Sequence, residues 1–81
     1  MQIEQTLISI VSQLLEDPST LSCDVGQSGN AKELILITTD PKDLPRIIGK
    51  NGRTISAIRT VVRAIYASKG NTERLLITCR S

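Results

Sequence analysis

Apolar side chains recur with the period of a helix along the first seventeen residues. In QIEQTLISIVSQLLED, Ile3, Leu7, Ile10, Val11 and Leu14 fall on one face, and Ile8 and Leu15 widen the stripe. Asp17-Pro18 ends it, because the residue before a proline is pushed out of the helical region. TLSCDVG then alternates, with Leu21, Cys23 and Val25 on one side and Thr20, Ser22 and Asp24 on the other, as a half-buried strand does. The glycines and asparagine of GQSGN, residues 26–30, mark a turn. The apolar run at residues 34–37 in KELILITT predicts a second strand, central in its sheet and covered on at least one face.

A short helix comes next. Asp40-Pro41 offers an N-cap followed by a proline at the first helical position. A helix begun there meets Pro45, which has no amide for an intrahelical bond. A start near Asp43, or a distorted first turn, removes the conflict. After Gly52 a longer helix is marked by Ile55, Ile58, Val62 and Ile65 at helical spacing, with Val61 beside them and Arg59 and Arg63 on another face. Gly70-Asn71 supplies its stop. ERLLITC gives a final strand with Leu75, Ile77 and Cys79 pointing one way. No repeat and no long linker interrupts this order. The pattern predicts an α+β fold, with helices stacked on one face of a small sheet.

Composition adds two constraints. A chain of 81 residues buries only a little over roughly 60 % of its unfolded surface, so its core is small. That core must be aliphatic, since Phe and Trp are absent and Tyr66 is the one aromatic residue. The same absence argues against a site built on stacked aromatic platforms. The net charge of +2 hides a strong polarity. Residues 1–43 hold seven acids against Lys32 and Lys42, whereas residues 44–70 hold Arg46, Lys50, Arg53, Arg59, Arg63 and Lys69 and no acid. Such a chain turns a cationic face to an anionic partner, unless the charges only solvate a helix.

Other chemistries find little support. Cys23 and Cys79 are far apart in sequence and there is no His to join them, so neither a metal site nor a redox pair is expected; both read as small core residues. No nucleophile and base pair suggests itself, and Asp40 and Asp43 read as helix-start residues, so no enzyme, cofactor or small-molecule substrate is expected. The early residues lack the basic start of a signal peptide and no run of about 18 apolar residues exists, which predicts a cytoplasmic protein with no membrane partner.

The cations centre on RIIGKNGRTISAIR, residues 46–59. Two glycines bracketing two residues let the chain turn sharply between helices and leave bare main chain at the turn. Amides at the start of the longer helix, over residues 52–54, are expected to be free and to carry the positive end of its dipole, which favours phosphate oxygens. Lys50 adds a point charge at the tip. The Walker pattern G-x-x-x-x-G-K-[ST] and the dinucleotide pattern G-x-G-x-x-G are both missing. G-x-x-G alone is a weak signal.

In its setting it is specific. IIGKNGRTI, between a short and a longer helix and after a strand, resembles the KH-domain signature V-I-G-x-x-G-x-x-I. The element order resembles the type II, prokaryotic topology, and DPKDLPRIIGKNGRTISAIRTVVRA is similar to the small bacterial KhpA-type (YlqC-like) RNA-binding proteins. The resemblance implies one KH domain over residues 1–81, with its core at about 32–79 and an N-terminal helix and strand before it. It implies that single-stranded RNA is clamped over the loop, about four nucleotides at a time. Gly49, Lys50, Asn51 and Gly52 match the clamp, Ile47, Ile48 and Ile55 match the aliphatic signature, and Arg46, Arg53, Thr54 and Arg59 flank it. Pro45 stands where the family usually has a small residue. The final strand is expected to wall the groove. Relatives of this kind act as RNA chaperones or post-transcriptional regulators, self-associate, and pair with a larger Jag-type protein, KhpB. Weak binding by one such domain makes a second site useful. A protein-interaction adaptor, in which the fold serves mainly to dimerise or dock a partner through its aliphatic helix surface, is the competing reading.

Overall fold

The computed structural model describes residues 2–81. In chain order it contains α1 (Ile3–Ser12), β1 (Leu21–Ser28), β2 (Ala31–Thr38), α2 (Leu44–Ile48), α3 (Arg53–Ser68) and β3 (Arg74–Arg80), with short 3-10 turns at Pro18–Thr20 and Lys50–Gly52. The sheet order is β1-β2-β3; β1 pairs antiparallel with β2, and β2 pairs parallel with β3. The fold is therefore α+β with a mixed three-stranded sheet, in the helix–strand–strand–helix–helix–strand order that the sequence predicts. α2 and α3 form the crossover that a parallel pair requires.

The helices cover one face of the sheet. Leu34 and Leu36 of β2, with Leu75 and Ile77 of β3, meet Leu7 and Val11 of α1, Ile47 of α2, and Ile58 and Val62 of α3 in a single aliphatic core. β2 is central, as expected, but covered on one side only: Leu34 and Leu36 are buried while Ile35 and Ile37 are partly exposed.

Several local expectations shift, each for a physical reason. α1 stops at Ser12, five residues before Asp17. The amides of Gln13, Leu14 and Leu15 each reach back three residues, to Ile10, Val11 and Ser12, tightening the last turn. That tightening swings Leu15 into the core and leaves Leu14 39 % exposed. β1 runs on through residues 26–28, and the turn shrinks to Gly29-Asn30. Of these two, only Gly29 has a positive φ, +61°, the sign pattern of the glycine-first hairpin turn. On α3 the buried stripe passes from Val62 to Tyr66, with Ile65 only partly covered and Val61 exposed.

Two further expectations are corrected. Cys23 and Cys79 are half-buried at the sheet edges rather than in the core. Both pair across Leu36, so two strand spacings of roughly 9.5 Å separate them, beyond disulfide reach. Burial pushes both thiols up from their usual range. Asp43 precedes α2, but its carboxylate does not cap that helix. It is buried and accepts hydroxyl bonds from Thr20 at 2.9 Å and Thr38 at 3.4 Å, tying the start of α2 to both chain segments at the open end of the β1–β2 hairpin. Asp40 turns the chain instead, accepting from the Lys42 amide at 3.0 Å.

The far end of α3 is closed by Tyr66. Its hydroxyl donates to Glu73, its backbone carbonyl accepts from the Asn71 side chain at 3.0 Å, and Lys32 lies 6.0 Å from its ring. The Glu73 bond, with burial and the Glu73 charge, pushes the phenol up to about 12. The folded pKa lies above the free value of about 10. This contact therefore stabilises the fold fully below about pH 10 and loses its contribution as pH rises through about 12. With one tyrosine and no tryptophan, a phenolate absorbance titration reads the group directly. The expected midpoint is about 12, moving back toward 10 in Glu73→Gln. A wild-type midpoint near 10 would show the bond to be absent.

Candidate nucleic-acid interface

The glycine loop sits between α2 and α3, and its shape follows from one close approach. A Cβ on Gly49 would stand 2.1 Å from the Thr54 hydroxyl, 2.6 Å from its Cβ and 2.9 Å from its backbone nitrogen. The last of these is main chain and cannot move aside. Gly49 also has φ 76° and ψ 174°, a region essentially closed to other residues. Gly52 is left-handed at φ 72°, but a Cβ there meets nothing within 4 Å. The two glycines thus do different work. Gly49 seats α3 against the end of α2, and Gly52 only permits the turn.

Pro45 causes no conflict. It lies in the first turn of α2, where amides have no helical partner anyway, and its carbonyl accepts the Gly49 amide at 2.8 Å. The Gly52 amide donates to the Gly49 carbonyl at 3.1 Å, and the Arg53 amide to the Lys50 carbonyl. The free amides expected over residues 52–54 are therefore partly spent. Among the described residues it is the amides of Lys50 and Asn51 that lack a backbone acceptor. Both residues are exposed, and Asn51 holds a left-handed φ of 57° that turns the tip outward.

The other candidate residues divide. Ile47 and Ile55 are buried, and Ile48 is partly buried against the core. Thr54 packs on Gly49, while Arg53 is exposed beside the loop. Arg46 turns away: it lies 3.7 Å from Glu16, the one ion pair among the described residues, near Asp17, Asp40 and Asp43. Arg59 is half-buried and donates its Nε to the Ile77 carbonyl at 2.8 Å. Arg63, read from sequence as a solvated charge, does the same to the Leu75 carbonyl at 2.8 Å. β3 is an edge strand, and these two arginines occupy its outward carbonyls. A sequence signal existed: arginines at i, i+4 on a helix, set against an alternating strand in the opposite direction.

Loop, short helix, long helix and parallel edge strand together make this an α+β KH fold of the type II order. The crystal structure of Era in complex with MgGDPNP and nucleotides 1506–1542 of 16S ribosomal RNA shares it, with a TM-score of 0.69 at 14 % identity. The alignment covers 96 % of this chain and 30 % of that one, so the chain spans under a third of that protein and the likeness is one of fold. The KhpA/KhpB KH-domain model matches residues 4–77, and the chain belongs to that family. RNA-binding protein KhpA of Streptococcus pneumoniae serotype 4 is 40 % identical over 63 residues, 78 % of each chain. RNA-binding protein KhpA of Lactiplantibacillus plantarum is 33 % identical over 75 residues, 93 % of this chain and 87 % of the relative.

The glycine asymmetry is directly measurable. Gly52→Ala should cost about 1 kcal/mol of stability, the penalty for a left-handed alanine. Gly49→Ala should cost about 3 kcal/mol or more, adding overpacking to strain. Urea unfolding midpoints report both. Equal losses would mean that Thr54 does not pack against Gly49.

Proposed function

We propose that this protein is a non-catalytic, single-stranded RNA-binding protein of the bacterial cytoplasm, acting as an RNA chaperone or post-transcriptional regulator. Residues 1–81 work as one KH unit in which the loop Gly49-Lys50-Asn51-Gly52 clamps the RNA backbone. The supporting observation is the loop tip: two exposed residues whose amides have no backbone acceptor, one of them a lysine outside any ion pair among the described residues. A phosphate laid there gains amide donors and a cation without displacing an internal bond. Arg53 and Thr54 extend the contact, Ile48 and Ile55 line the groove beside it, and Arg59 holds its far wall. Arg46 joins only by leaving Glu16, a weak surface pair. The names of the relatives point the same way.

With roughly three phosphates neutralised, a single-strand salt slope near −0.7 per phosphate loses about twentyfold in affinity between 50 and 200 mM salt. Affinity therefore has to come from a second site, through a homodimer or a larger Jag/KhpB-type partner. One surface favours the adaptor reading. Val61 is 51 % exposed on the outer side of α3, with Ala57 and Ala64 exposed near it and no charge among them.

Lys50→Asp with Asn51→Asp should leave the fold intact and abolish retention of a single-stranded RNA by at least tenfold, while Val61→Arg should spare RNA and weaken self-association or partner capture. Anisotropy with labelled RNA and sedimentation of the same proteins separate the two. Full RNA retention by the folded loop variant would sink the clamp.

A further inference from the structure

The seam between α3 and β3 does not end at Arg59. Arg59 and Arg63 stand four residues apart on α3, and each fixes its Nε on an outward β3 carbonyl at 2.8 Å, the first on Ile77 and the second on Leu75. α3 runs away from the glycine loop and β3 runs back toward it, so these bonds order the two side chains along the seam. Arg59 is nearer the loop, and Arg63 is one step further out. Ala67 occupies the next position, so the row is two arginines long.

This row suits an anion. A bare strand edge offers carbonyl oxygens, which repel phosphate; here two of them are already taken. A guanidinium has five donor hydrogens, so after the Nε bond each arginine keeps its terminal nitrogens for another group. Among the described residues neither arginine is in an ion pair, and the Nε bond is the one hydrogen bond each side chain makes. No acid occurs between residues 44 and 70. Covering an edge accounts for the two bonds but not for two unpaired charges about 6 Å apart along the helix, which repel each other until an anion joins them. Each side chain is also held in place before any ligand arrives, so less entropy is lost on binding.

We propose that Arg59 and Arg63 form a phosphate track that carries single-stranded RNA past the glycine loop, one phosphate to each guanidinium. This rests on the RNA-binding reading and lengthens its site. From Arg53 to Arg63 the helix advances about 15 Å. Four stacked nucleotides at about 3.4 Å each cover less than that, so a fifth and a sixth are needed to reach the end of the row. The track adds affinity and register without reading bases. Arg63 has two tasks, closing the β3 edge and holding a phosphate.

Anisotropy titrations of labelled four- and six-nucleotide RNAs of a single base, between about 50 and 200 mM salt, test the track. With two further phosphates at about 0.7 each, the slope of log affinity against log salt should be steeper by about 1.4 for the longer RNA. Over that range the longer RNA then loses about sevenfold more affinity than the shorter. Arg63→Gln should take about 0.7 off the six-nucleotide slope, and Arg59→Gln with Arg63→Gln about 1.4, in proteins shown to be folded by urea titration. Arg63→Lys, which keeps the charge, should restore the slope that Arg63→Gln loses. A six-nucleotide slope unaltered in both glutamine variants, or one that Arg63→Lys fails to restore, would overturn the track and leave these arginines as a cover for β3. Absence of binding to either RNA by the wild type would instead remove the reading beneath it.

Discussion

The contact between Gly49 and Thr54 sets the geometry on which the candidate interface depends. A side chain cannot be inserted between them, because a Cβ would come within 2.9 Å of the Thr54 amide nitrogen. α3 therefore starts hard against the end of α2. Two residues, Lys50 and Asn51, are thrown outward with their amides uncommitted. Exposure of the cations and freedom of the amides are thus consequences of one steric fact, and they come together.

A small aliphatic core cannot by itself fix where such a loop points. The fold adds polar ties at its margins, away from the tip. Asp43 binds Thr20 and Thr38 and anchors the start of α2 to the sheet. Tyr66, Asn71 and Glu73 fasten the other end of α3. Buried polar groups are costly unless satisfied, so the buried Asp43 tie specifies position more than it adds stability. α2 and α3 are held at their outer ends, and the loop between them is placed by elimination.

Much of this was legible in the sequence, and what was not has a common cause. The order of elements followed from periodicity, and the glycine loop from its spacing. LSCDV and LLITC appeared as strands through alternation, and LILI through an unbroken apolar run of strand length. Misplaced features depended on hydrogen bonds that the residue pattern does not record. Leu14 and Leu15 exchanged roles because the end of α1 tightened, and Tyr66 joined the core with its hydroxyl bonded to Glu73. Asp43 looked like a cap because its shorter bond is to Thr20, 23 residues away. For the same reason Arg63 looked solvated: its partner is a backbone carbonyl, and main-chain acceptors leave no mark on the residue pattern. At the loop, sequence identified the bare turn but put the free amides two residues too late.

The arginine pair shows why two such bonds form and not a longer series. Four residues of helix advance about 6.0 Å, and two residues of strand about 6.6 Å. Arg59 on Ile77 and Arg63 on Leu75 keep these rows in step with an error of about half an ångström, small enough for flexible side chains to absorb. Continued once more, the series reaches position 67, an alanine, opposite position 73, where β3 has not yet begun. Continued the other way it reaches Ile55, buried in the core. The series is therefore confined to the middle of the seam by which residues stand at its ends. That stretch carries the cations.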